Sequence, residues 1–324
     1  MSRREQHASL VSGASTERGW APAFLLLALL WGASFMFIKV GLGALAPLQV
    51  ALGRMVFGAL FLLAVLVITK DRLPRGRAVW RHLFVAALLL NTIPFSLFAL
   101  GETEVSSIVA GIWNATTPLL TVSVAMATLP EERLSTERAI GVGVGFAGVL
   151  VLLGPWHGLG GGALAGNLAC LGAAVAYGFG FPYARKHLAG RPESVVSLSS
   201  AQLLLATAQM LLVAPFSGPL PATFPLGVVL SVLALGALGT GLAYILNYHV
   251  IRAAGATVAS SVTYVIPVFS TIFGVALLGE TLTWNQPAGA VVVIAGVAVS
   301  QGRLRSSRSS HLSRDRRASA RGRP

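Results

Sequence analysis

The sequence predicts an all-α polytopic membrane protein, with ten transmembrane helices arranged as two inverted five-helix repeats. Three observations predict it. Hydrophobic residues make up 55% of the 324 residues and charged residues only 11%, against roughly 25% charged in a soluble domain. Apolar runs long enough to cross a hydrocarbon core of about 30 Å recur along the chain. The two halves also match one another at nearly constant offsets, the mark of an internal duplication.

Residues 1–20 are polar and read as a cytoplasmic N-terminal segment. The apolar stretch 21–38 is longer than the roughly 7 to 15 residues of a signal-peptide core, so an uncleaved first span is expected. Runs interrupted by Gly, Pro and charge place spans near 21–41, 48–69, 83–101, 106–128, 137–154, 164–184, 195–215, 226–249, 257–278 and 286–301. They group into a first repeat, 21–154, and a second, 164–301. A Gly-rich periplasmic linker, 155–163, joins them, and a basic, disordered cytoplasmic tail occupies 302–324.

Charge chooses the orientation. With ten spans, 22 of the 24 Lys and Arg residues fall on the face that carries the termini, while the opposite loops hold only Glu102, Glu104 and Glu280. The positive-inside rule then puts both termini in the cytoplasm of a multi-pass inner or plasma membrane protein. A miscounted span would scatter the later charges over both faces. Trp20, Trp80, Trp156 and Trp284 fall at span ends, as an aromatic belt requires.

The repeat is readable residue by residue. Trp31-Gly32, Phe35, Phe37 and Lys39 recur 146 residues later as Tyr177-Gly178, Phe181, Tyr183 and Arg185. Pro118 matches Pro267 at an offset of 149, and Glu132, Leu134, Gly141 and Gly148 match Glu280, Leu282, Gly289 and Gly296 at 148. An odd number of spans per unit forces the second copy to lie upside down relative to the first, an architecture shared by many alternating-access transporters.

Taken in order, Trp31-Gly32-Ala33-Ser34-Phe35, Pro47, Arg54, Pro118, Glu132, Pro267, Gly279-Glu280 and Gly296 make residues 21–301 resemble the EamA-type members of the drug/metabolite transporter superfamily. The resemblance implies two five-helix inverted repeats around a central cavity. It further implies transport of small metabolites, often by export and often driven by an ion gradient. It names no substrate.

Arg54 lies about 9 Å along the second span at 1.5 Å per residue, where an arginine costs roughly 2.5 to 3.5 kcal/mol on insertion scales. It must face a wet cavity or a partner. Two roles fit: an anchor for a substrate carboxylate or phosphate, or a structural arginine that ties off backbone carbonyls or an outer glutamate. Lys39 and Arg185 sit near span ends and are expected to snorkel to headgroups.

Proline removes the donor to the carbonyl four residues earlier. Pro118 thus frees the Asn114 carbonyl and Pro267 that of Thr263, while Pro94 and Pro182 free those of Leu90 and Gly178. Unpaired backbone is tolerated only against protein or water, so these breaks mark either a cavity or simple kinks. Trp31, Phe35, Trp113, Tyr177, Tyr183, Tyr244 and Tyr264 supply aromatic faces for an organic solute, or pack helices. Asn91 and Asn247 fit ligand contact or interhelical hydrogen bonding equally.

No Asp or Glu lies well inside a span, so the usual carboxylate proton carrier is missing. Glu102 and Glu104 at the outer mouth either take protons or are solvated loop carboxylates, the second being the expectation, and Glu132 and Glu280 are expected as caps of neighbouring helices or partners of loop arginines. Whether a proton is the coupling ion stays open, as does homodimerisation.

The excluded classes follow from what the basic charge and the motifs lack. The net charge of +13 resides in short loops and the tail, with no folded basic domain, so no nucleic-acid partner is expected. Cys170, the single cysteine, cannot form an internal disulfide. Gly143-Val-Gly145-Phe-Ala-Gly148 fits a dinucleotide fingerprint, but it lies within an apolar helix without a preceding strand, and small residues for helix contact explain it better. Asn114-Ala-Thr116 fits a glycosylation sequon at unreachable membrane depth. With no protease, P-loop or metal-site signature, neither cofactor nor metal nor catalysis is expected. The partners are the bilayer and a small-molecule substrate. The readings that compete with transport are an integral-membrane enzyme on a lipid-linked substrate and a passive channel or scaffold.

Overall fold

A backbone amide in hydrocarbon must find its partner within its own segment, so long apolar runs fold as helices. In the computed structural model, which describes residues 20–128, 136–153, 162–188, 190–254 and 261–300, they do so throughout. Residues 1–19 of the polar N-terminal segment, Glu132, residues 155–161 of the Gly-rich linker and the basic tail lie outside the described residues, while Gly162 and the residue after it open a helix. Seven helical stretches are long and apolar enough to cross a membrane: Ala21–Gly41, Pro47–Ile68, Arg77–Gly101, Ser107–Val124, Leu164–His187, Val195–Phe216 and Leu226–Ile251. Three shorter apolar helices, Ala139–Leu152, Val262–Leu278 and Asn285–Val299, join them among the described residues.

The first half runs α1 (Ala21–Gly41), α2 (Pro47–Ile68), α3 (Arg77–Ala87), α4 (Ile93–Gly101), α5 (Ser107–Asn114), α6 (Thr117–Thr128) and α7 (Thr136–Leu153). The second runs α8 (Gly162–His187), α9 (Val195–Val213), α10 (Leu226–Gly236), α11 (Ala243–Ala254), α12 (Ile266–Leu278) and α13 (Asn285–Ser300). A π-helical turn, Leu88–Thr92, joins α3 to α4. A second, Ala237–Leu242, joins α10 to α11. The two turns occupy repeat-equivalent places, their first residues 149 apart.

Proline accounts for two breaks and one continuation. Asn114 ends α5, two residues turn, and α6 restarts at Thr117 before Pro118. In the second half a 3₁₀ turn, Ser261–Tyr264, precedes α12 and Pro267. Pro182, by contrast, is accommodated inside continuous α8. The π turn before Pro94 routes the Ile93 amide to the Leu88 carbonyl, five residues back.

The halves interlock rather than sit side by side. The first helix of each packs on the third and fourth of the other, α1 on α10 and α12, and α8 on α4 and α6. The aromatic-glycine pair explains one such contact. A Cβ on Gly178 would lie 3.0 Å from Leu120 Cβ, and one on Gly32 would collide with Phe269. Leu120 and Phe269 are themselves 149 apart. The last helices, α7 and α13, cross through the discarded glycine motif: a Cβ on Gly148 would lie 2.6 Å from the Val293 amide nitrogen, and Gly296 abuts Gly141 and Gly145. Close approach of small residues is how helices bind one another where lipid offers no hydrophobic drive.

Candidate functional site

Helices α2 and α10 touch backbone to backbone, because a Cβ on Gly236 would fall 2.7 Å from the Arg54 carbonyl. That approach sets Arg54 beside the second π turn. Arg54, only 7% exposed, donates from Nε to Thr240 Oγ1 at 2.9 Å, and its guanidinium lies 3.6 Å from the centre of the Phe95 ring. Thr240 in turn donates to the Leu235 carbonyl at 3.2 Å, an acceptor the π turn leaves within reach, and this fixes its hydroxyl to accept from arginine. Nη1 and Nη2 of Arg54 make no hydrogen bond among the described residues.

A matching arrangement occupies the other π turn. Gln202 Nε2 donates to Asn91 Oδ1 at 2.6 Å, and Asn91 Nδ2 donates to Tyr244 Oη at 2.6 Å. Thr92 and Gln209 extend the polar seam at 2.6 Å. Arg54 and Gln202 are 148 residues apart, while Asn91 and Thr240, and Phe95 and Tyr244, are each 149 apart. Six residues therefore form three repeat-related pairs at the meeting of the two halves.

Of the residues singled out in the sequence, Arg54, Asn91, Tyr244 and Tyr177 come together here. Tyr177 and Tyr244 are electrostatic neighbours of Arg54, and Tyr177 packs on the cluster holding Ala51, Met55 and Phe95. Phe35 sits one layer away, edge-on to Phe98 at 5.4 Å, with Phe98 tilted against Tyr177 at 6.2 Å. Trp31 and Tyr264 flank the main core. Trp113 is wholly enclosed and donates to Asn167 Oδ1 at 2.7 Å. Asn114 and Thr263 stand at the two helix breaks, and Tyr183 lies apart, bonded to His82 Nδ1 at 2.9 Å. Phe95, Gln202 and Thr240 were not singled out, although carrying Tyr244, Arg54 and Asn91 across by the repeat offset points to each of them.

Two expectations at the Gly101 end of the bundle are overturned. Glu102 is fully buried, not solvated, and neither carboxylate oxygen has a hydrogen-bond partner among the described residues. Lys39 does not snorkel. Its Nζ donates to the carbonyls of Glu102 at 2.6 Å and Val105 at 3.0 Å, tying together the turn between α4 and α5. The expectation for Glu280 holds in its capping form, since its carboxylate accepts from Ser107 N at 2.8 Å, Ser107 Oγ at 2.9 Å and Ile108 N at 3.1 Å at the start of α5.

The chain has relatives across bacteria and archaea. The "uncharacterized inner membrane transporter YedA" of Escherichia coli K12 is 27% identical over 288 residues, covering 87% of this chain and 90% of that protein. The "uncharacterized transporter YoaV" of Bacillus subtilis is 24% identical, covering 83% and 92%. An "uncharacterized transporter" of Archaeoglobus fulgidus is 26% identical, covering 84% and 95%. One solved crystal structure shares the fold with a TM-score of 0.62 at 21% identity, over 88% of this chain and 98% of the other. The sequence model of the EamA-like transporter family matches twice, at residues 18–154 and 164–301. With one match on each of the two interlocked halves, the chain belongs to the EamA-like transporter family, as a multi-pass membrane transporter.

Proposed function

We propose that this chain is a ten-span secondary-active transporter that exports a small metabolite, an amino acid, related metabolite or drug-like solute, by alternating access. The carrying observation is the Arg54 guanidinium, held by Thr240 and Phe95 with neither terminal nitrogen hydrogen-bonded among the described residues. A paired donor fork of this kind suits a solute carboxylate. The three repeat-related residue pairs support a rocking cycle, since inverted repeats exchange outward and inward forms by swapping nearly equivalent interfaces. Loop charge supports cytoplasmic termini in the inner or plasma membrane.

The test is an untargeted comparison of metabolites inside and outside cells expressing wild type, Arg54→Ala or empty vector, at matched membrane levels. A solute that accumulates outside with wild type alone supports export through Arg54. Equal accumulation with both variants assigns Arg54 a structural role. No difference from empty vector removes export.

A further inference from the structure

Away from Arg54, a groove opens to the surface between α3 of the first repeat and α9 of the second. It encloses about 480 Å³, walled by Trp80, Phe84 and Val85 on one side and Leu205 on the other, with Arg81 at its rim. That volume lies within the range of about 300 to 1,000 Å³ usual for ligand sites. Two hydrogen bonds hold the walls together across the repeats. Ser197 Oγ donates to the Arg72 carbonyl at 2.6 Å, and Gln209 Nε2 donates to the Phe84 carbonyl at 2.9 Å.

Along α3 the groove grades from charge to hydrocarbon. Arg77, Arg81, Phe84 and Val85 stand at helical spacings that share one face. Arg77 and Arg81 are exposed, and Phe84, 48% exposed, lies about 4.5 Å farther into the span than Arg81 at 1.5 Å per residue. Trp80 Nε1 donates to the Pro74 carbonyl at 3.0 Å, which occupies its one polar atom and leaves the ring as an apolar wall. The arginines meet no local acid. The first turn of α3 contains none, and Asp71 before it already accepts from Ser194 Oγ and the Arg72 amide.

We infer that this groove binds one anionic phospholipid, its phosphate held by Arg77 and Arg81 and an acyl chain laid against Trp80, Phe84, Val85 and Leu205. The leaflet that supplies it is the one at the Arg77 end of α3, which loop charge reads as cytoplasmic. The groove presents its chemistry in the order a phospholipid does, with cations at the rim and hydrocarbon beneath. A free phosphate would use the arginines alone, and a neutral lipid the apolar walls alone. Guanidinium forks suit phosphate oxygens, and basic pockets between helices are where anionic headgroups dock. Because α3 and α9 belong to different repeats, the bound lipid braces the seam between them.

The experiment titrates the full chain, purified in an uncharged detergent, with phosphatidylglycerol or with phosphatidylcholine of the same acyl chains, and reads bound lipid by native mass spectrometry. Expected for wild type is one phosphatidylglycerol bound roughly ten- to thirtyfold more tightly than phosphatidylcholine, the worth of about two basic residues near an anionic surface. Excess inorganic phosphate should not displace it. The double variant Arg77→Gln, Arg81→Gln should lose the preference, and the lysine pair at the same positions should keep it. Leu205→Trp, which fills the groove and leaves the charge, should weaken phosphatidylglycerol binding at least tenfold. Phe84→Ser, at a half-exposed position that tolerates truncation, should weaken it in the same direction and serves if the tryptophan variant does not fold. Arg72→Gln with Arg75→Gln removes equal charge from the preceding loop and should bind as wild type does. Equal affinity for the two lipids, displacement by phosphate, or an equal loss in the loop variant overturns the inference. So does full binding in the groove variants, or a lipid-free dimer that they dissociate.

Discussion

Arg54 and Gln202 occupy equivalent places in the two repeats, 148 residues apart, and each donates a hydrogen bond to the π turn of the opposite repeat. Arg54 reaches Thr240 at 2.9 Å and Gln202 reaches Asn91 at 2.6 Å. The equivalence is geometric but not chemical, since one clasp carries a charge and the other is neutral. The charged one also stacks on Phe95, whereas the Phe95 equivalent, Tyr244, bonds Asn91 through its hydroxyl. That asymmetry leaves a charged donor in one clasp and only neutral groups in the other.

The charged clasp should couple more strongly. A double-mutant cycle of Arg54→Met and Thr240→Val, read by reversible unfolding in detergent, should give a coupling of about 1.5 to 3 kcal/mol, as for hydrogen bonds to charged groups. The Gln202→Leu and Asn91→Leu cycle should give about 1 kcal/mol. Equal couplings would count against the asymmetry.

Arg54→Lys keeps the charge but loses the planar fork and the Nε donor. Export should fall at least tenfold, about 1.4 kcal/mol, while the melting temperature of the purified protein changes little. Full export by the lysine variant would mean that charge alone suffices.

The crossing of α7 and α13 should tolerate no added side chain at Gly148. Gly148→Ala is expected to cost about 1 to 3 kcal/mol through overpacking against Val293. Gly143, five residues earlier on the same helix, has open space around it, so Gly143→Ala is the control and should be neutral or slightly stabilising. Thermal melts of the two variants decide.

Removing the Glu280 carboxylate by Glu280→Ala leaves the Ser107 and Ile108 amides without their acceptor. A loss of about 1 to 2 kcal/mol follows from the missing cap. Hydrogen exchange should quicken at the start of α5 before it does elsewhere, and unchanged protection there would assign the cap no role.

Stability should also depend on pH through Glu102. Its folded carboxyl is raised by burial above the ordinary value of 4.5, so between those two values the folded state holds a proton that the unfolded chain has lost. Stability is then fully present below about pH 4.5 and declines as pH rises through that window. Glu102→Gln should flatten the decline, and a slope identical to that of wild type would remove Glu102 as its source.

By itself the sequence determined the apolar runs, the duplication, the proline breaks before Pro118 and Pro267, and the glycines through which α7 and α13 meet. Each follows from short-range chemistry: an apolar run needs internal hydrogen bonds, proline lacks a donor, and a missing Cβ allows close approach. The second π turn, Ala237–Leu242, carries no proline to announce it. The partners of Arg54 and Asn91 stand 186 and 111 residues away in the chain. Only the tertiary structure decided those pairs, along with the burial of Glu102, which reads as a loop residue until α1, α2 and α8 close around it. No local pattern records the depth of a side chain, because burial is set by what the rest of the chain packs against it.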